Sequence, residues 1–167
     1  MAEPTQSMLV ALADAVVAAL NGATAGTFTT AFTAARKFAP LIDLKDAPDL
    51  TKTPAVSPLV LILPGSDDED RQGGGPRASF LGDYAVDCVI YGRVGVGDAA
   101  EALCAMLMDL RQQIRSFLGK TLVPVSGIKA SAGVVAKVDG DPAYGLETLV
   151  NTHCFVSAQT FTFKVPV

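Results

Sequence analysis

Pro58-Leu59-Val60-Leu61-Ile62-Leu63 is followed by Ser66-Asp67-Asp68-Glu69-Asp70-Arg71-Gln72-Gly73-Gly74-Gly75-Pro76-Arg77-Ala78-Ser79, and then by a second apolar run that begins at Phe80. The first run is continuous, apolar and bounded by prolines. That is the pattern of a strand covered on both faces, or one with a neighbour over its second face. The second run, residues 80–94, alternates. Phe80, Tyr84, Val86, Cys88 and Ile90 share one face, and Leu81, Ala85, Val89 and Tyr91 share the other with Asp83, Asp87 and Arg93. A hairpin needs only about two to five connecting residues, and connections beyond about a dozen are usually functional or disordered. The stretch 66–79 is acidic at its start, then Gly-rich and basic, and it holds too little apolar surface to fold alone. It reads as a long polar loop that orders on meeting a partner, which points to an assembly protein before an enzyme.

On the N-terminal side, residues 7–21 read as a helix, with Met8, Leu9, Leu12, Val16 and Leu20 at helical spacing. Ser7 is placed as its N-cap and Asn21-Gly22 as its stop. Residues 27–38 are rich in Thr and Phe and read as a strand ended by Pro40. Residues 40–57, with Pro40, Pro48 and Pro54, read as a connector. On the C-terminal side, residues 99–118 carry an apolar stripe of Leu103, Met106, Leu107, Leu110, Ile114, Phe117 and Leu118, the mark of an amphipathic helix. Asp98 and Glu101 form a candidate capping box, and Gly119 a stop. Residues 132–138 read as a short strand and Asp139-Gly140-Asp141-Pro142 as a turn. Residues 151–165 read as a final strand with Phe155, Phe161, Phe163 and Val165 on one face. The order α-β-β-β-α-β-β predicts an α+β fold: a mostly antiparallel sheet of about four to five strands with two main helices on one face.

The 167 residues predict one domain, 1–167, large enough for a core without disulfide or metal staples. The net charge of −4 offers no cationic patch for nucleic acid. No apolar run reaches the roughly 18–20 residues of a membrane span, and the N-terminus has no basic segment of the kind that opens a signal peptide. Cys88, Cys104 and Cys154 sit far apart among apolar neighbours, as reduced thiols do.

The chemistry-bearing residues do not assemble into a catalytic or metal-binding set. His153 is the single histidine and is placed inside the final strand, on the parity of Phe155 and Phe161. One histidine with three scattered cysteines makes no zinc constellation, and nothing in the spacing pairs Cys88 or Cys104 with it as a nucleophile. Gly95-Val96-Gly97-Asp98-Ala99-Ala100 matches the dinucleotide pattern G-x-G-x-x-A, but Asp98 puts a carboxylate where pyrophosphate would sit. Asp67 to Asp70 could offer oxygens to calcium but lack the spacing of a calcium loop.

Taken in order, these segments resemble the tail terminator, or tail completion, proteins of lambda-like long-tailed bacteriophages. The likeness is carried by the amphipathic helix Leu9–Leu20, the short apolar strand 58–63, the polar loop, the strand Gly82-Asp83-Tyr84-Ala85-Val86-Asp87-Cys88-Val89-Ile90-Tyr91, and the small-acidic entry Gly97-Asp98-Ala99-Ala100-Glu101 to the second helix. The ending Asp139–Leu146 followed by Ala158–Val165 also carries it. Residues 40–57 and 119–132 are longer than the pattern. The resemblance implies a homohexameric ring that caps the tail tube, stops its polymerisation and presents a head-proximal surface to the connector proteins. It implies no catalysis, cofactor or membrane, and assembly in the host cytoplasm into the virion. DNA would pass through the pore without specific binding, past acidic walls. Asp67, Asp68, Glu69, Asp70, Arg71 and Arg77 are the candidate contacts to a neighbouring subunit or the tube. The alternatives are another neck or head-completion ring and, more remotely, a small cytosolic nucleotide-binding protein using the Gly95–Ala100 turn.

Overall fold

The computed structural model describes residues 7–52, 56–72, 79–125 and 132–166. Ten elements follow one another: α1 (Met8–Asn21), β1 (Thr33–Arg36), a 3-10 turn (Leu44–Asp46), β2 (Leu59–Gln72), β3 (Ser79–Arg93), α2 (Asp98–Lys120), β4 (Val123–Pro124), β5 (Ala132–Asp139), α3 (Leu146–Thr152) and β6 (Cys154–Pro166). They build the expected α+β fold. The sheet is a curled one of six strands with three helices packed on it. Its order is β1-β2-β3-β6-β5-β4. Only β1 and β2 run parallel; the other neighbours are antiparallel.

The alternation read from the sequence sorts residues onto the two faces. Val60 and Ile62 of β2, Tyr84, Val86, Cys88 and Ile90 of β3, and Phe155, Phe161, Phe163 and Val165 of β6 meet the helices. The helices answer with Leu12, Val16 and Leu20 from α1 and Leu107, Leu110, Ile114 and Leu118 from α2. Leu61, Leu63, Val89, Tyr91 and Cys154 point the other way, against Ala47, with Leu41 and Leu44 packed alongside. The connector thus covers the second face through Leu41, Leu44 and Ala47, which explains why 58–63 is apolar at every position. The Tyr91 hydroxyl receives the Leu41 N–H at 3.2 Å and pins that connector.

Several local expectations are corrected. Residues 27–32 are not strand. Phe28 packs edge-on against Phe32 and Phe117, and the Thr29 N–H donates to Gln113 Oε1 at 3.0 Å, so tertiary anchors on α2 override β propensity. Ser7 and Gly22 do stand as the N-cap and C-cap of α1, but the Ser7 side chain makes no cap bond and Gly22 has φ −92°, outside the left-handed region. Gly97, not Asp98, is the N-cap of α2, again without a side-chain cap, and the helix runs through Gly119 to Lys120. Residues 146–152 form α3 and not the start of the final strand. His153 therefore leaves that strand: it is exposed, ends α3 with φ 55° and donates its N–H to Leu149 O at 2.9 Å.

Candidate functional site

The decisive correction concerns 66–79. Ser66 to Gln72 continue β2, Ser79 opens β3, and the two strands stay paired from Leu59↔Tyr91 out to Gln72↔Ser79. Residues 66–72 and Ser79 are therefore strand and not loop, forming a paired arm, and residues 73–78 lie outside the described residues. Asp67 is exposed and sits opposite Tyr84. Asp68 is registered with Asp83, Glu69 with Gly82, Asp70 with Leu81 and Arg71 with Phe80. Arg77 lies outside the described residues. The arm assembles five of the six expected contact residues on one strand.

A bulge bends the arm. Register shifts between Pro64 and Ser66, leaving Gly65 as the extra residue. A Cβ on Gly65 would lie 2.8 Å from the Ala85 carbonyl oxygen, closer than such contacts go. Gly65→Val is expected to cost about 1–3 kcal/mol, read as a lower midpoint in urea unfolding. An unchanged midpoint would show that the bulge is free to relax. On the inner side of β3 the charges are matched: Lys164 Nζ lies 3.3 Å from Asp83, and Thr160 donates to Asp87 at 2.6 Å.

The outer side of β2 is half covered. β1 pairs with Leu59 to Ile62 only, and the Lys37 N–H adds one bond to Ile62 O at 3.1 Å. The free side of β1 is closed by Asn21, whose amide accepts from Ala34 N–H at 2.9 Å and donates to Ala34 O at 3.0 Å. Beyond Ile62, from Leu63 to Gln72, no strand pairs with that edge among the described residues. At the opposite end of the sheet β4 pairs only with Ala132 and Gly133, so the outer edge of β5 from Val134 to Asp139 is likewise without a strand partner among the described residues. Sequence reasoning missed this second edge, because its signal, the shortness of β4, lies in long-range pairing.

The other candidates disperse. Gly95 and Gly97 have φ of 74° and 85°, and the Ala100 and Glu101 amides bond Gly97 O at 3.1 and 3.2 Å, so the G-x-G is a turn that starts α2. The strand after α2 is β4, which lies beyond β6 and β5 and not parallel beside β3, so this turn opens no βαβ unit. Cys88 and Cys154 face opposite sides of the sheet. Burial pushes the Cys88 thiol up to about 12, with the Asp87 charge adding to it. Among the described residues no group of three His, Cys, Asp or Glu is placed to hold a metal ion, and no helix is long and apolar enough to cross a membrane. A surface depression of about 680 Å³ is lined by Ile42, Asp43, Leu44, Lys45, Arg93, Asn151 and Thr152. Exposed large apolar side chains are spread along the chain, among them Phe38, Ile42, Val96, Leu122, Leu146 and Val150.

No protein-family model matches the chain, and no curated protein matches it.

Proposed function

We propose that this chain is a structural subunit of a long-tailed phage virion, which caps the tail tube as a homohexameric ring, ends tube polymerisation and offers a joining surface to the connector of the head. The observation that carries the reading is the β2–β3 arm, an acidic strand that outruns β1 and whose outer edge has no strand partner among the described residues. A strand edge of that length attracts a partner strand. The element order, with α1 ahead of the sheet and α2 between β3 and the last strands, agrees with the tail terminator resemblance. Partners are further copies of the chain, the tail-tube protein and a head-completion protein. DNA passes the acidic surface without being held, since like charge repels the phosphates.

Native mass spectrometry and electron microscopy of the purified protein, mixed with tail-tube subunits, test the reading. Rings seated on tube ends are expected. A strict monomer that never decorates tube ends would sink it, and binding to DNA-filled heads in place of tubes would assign the chain to head completion. A second expectation concerns the arm. Deleting Asp68 to Gly75 shortens the hairpin without touching either apolar cluster, so the variant folds and melts cooperatively but loses tube-end decoration. Intact capping by that variant would show the arm to be passive.

A further inference from the structure

We infer that successive copies of this chain join by strand addition, the outer edge of β2 in one copy pairing antiparallel with the outer edge of β5 in the next, so that the ring carries one continuous sheet. The inference rests on the ring reading above and names its contact. Strand register carries the argument. Leu63 pairs with Asp87, which pairs with Thr160, which pairs with Asp139. In the same way Pro64 is level with Val138, Ser66 with Lys137, Asp67 with Val135 and Asp68 with Val134. The two edges that lack a strand partner among the described residues therefore lie at the same height on opposite sides of one sheet.

Direction agrees as well. Three antiparallel steps separate β2 from β5, so the two strands run opposite ways within a copy. A neighbour added in the same orientation brings its β5 antiparallel to β2, the pairing a sheet extends most readily. Because the edges are level, each added copy gains little rise along the strands. Head-to-tail contacts that do not rise close into rings, whereas rising ones make filaments.

The sequence of the edges selects this pairing over two-fold pairings. Two β2 edges laid antiparallel would set the run Asp67 to Asp70 against itself, and like charges directly opposite destabilise a sheet. On β5, by contrast, Val134 is 49% exposed and Ala136 and Lys137 are exposed. The only ion pair of Lys137 among the described residues is a solvated one with Asp139 at 3.3 Å, and such pairs contribute little. At the level register Lys137 meets Ser66, Val135 meets Asp67 and Val134 meets Asp68, so no like charges stand opposite one another. Ile62 turns its carbonyl away from β3 toward Lys37, and two residues on the strand repeats that direction, so Pro64 sets its missing N–H on this edge and the added strand forgoes one ladder bond there.

The test uses the full chain with Ser66→Cys and Lys137→Cys together, in a Cys104→Ser background that leaves only the buried Cys88 and Cys154. Opposed strand residues stand at a separation a disulfide spans, and a short bis-maleimide covers a slip of one pair. The protein is oxidised or cross-linked at the concentration where native mass shows the wild type assembled. The double variant is expected to give a non-reducing ladder that ends at the ring size. The two single variants give no ladder, and a mixture of them gives cross-linked dimers only. A single variant that cross-links to itself would mean two-fold pairing and would overturn the contact. So would rings that form without any cross-link, and in that case the ring reading survives. A protein that stays monomeric and uncross-linked at every concentration overturns both. A full ladder from rings that never cap tubes supports the contact and removes the capping reading.

Discussion

Phe161→Ala is expected to lower the unfolding free energy by about 3–5 kcal/mol, through lost transfer energy plus the cavity left behind. For a chain of this size that is a fall in melting temperature of roughly 6–20 °C. Phe161 is fully buried on the helix-facing side of β6. That strand is held from both sides, with Phe161 opposite Val86 of β3 and Val138 of β5. Two ladders keep its backbone from moving in to close the gap, so the cavity term should stand nearly whole. Thr162→Ala, one residue on and facing the opposite side, serves as the internal reference and should cost well under half as much. Urea unfolding of the two variants checks this. A loss below about 1 kcal/mol for Phe161→Ala would mean that the helices collapse onto the site.

Alkaline solution is the second strong perturbation. Burial pushes the Cys88 thiol from 9.0 up to about 12. Below about pH 9 both folded and unfolded chains hold that proton, so the group adds no pH dependence. Between about 9 and 12 the unfolded chain releases it and the folded chain does not, so stability falls as pH rises, by up to about 1.4 kcal/mol per pH unit. Cys104, Cys154 and Tyr91 are also raised, chiefly by burial, and act in the same direction. Cys88→Ala should flatten the slope above pH 9 while costing some stability at neutral pH. Denaturant midpoints measured from pH 7 to 11 on both proteins decide it. Parallel curves would remove Cys88 as the cause.

Both effects arise from residues whose burial could be read from alternation alone. The spacing of Leu12, Val16 and Leu20, and of Leu107, Leu110, Ile114 and Leu118, identified α1 and α2 and the faces they bury. The parity of Phe155, Phe161 and Phe163 identified the core side of β6. Ser7 and Gly22 were placed correctly at the ends of α1, whereas the ends of α2 were misassigned, because no side-chain cap marks where that helix begins. α3 escaped notice because seven residues give too short a window for a period of 3.6 to stand out against a strand pattern.

The arm shows where sequence reasoning stops. Its residues are polar, acidic and glycine-flanked, which locally favours loop over strand. Pairing with β3, itself anchored on β6 from Arg93↔Cys154 to Leu81↔Pro166, carries the strand out to Gln72 regardless. The candidate contact residues Asp67 to Arg71 were thus legible as a group, while their geometry was not.

The sequence by itself determined the fold class, the two long helices and the faces of the central strands. These follow from periodicity, which each segment carries within its own dozen or so residues. Only the tertiary structure decided that Ser66 to Gln72 are strand, that Leu41, Leu44 and Ala47 of the connector cover the second face, and that the edges of β2 and β5 without a strand partner among the described residues stand level across the sheet. Register and edge exposure are sums over pairings between residues far apart in the chain, and no local pattern encodes such a sum.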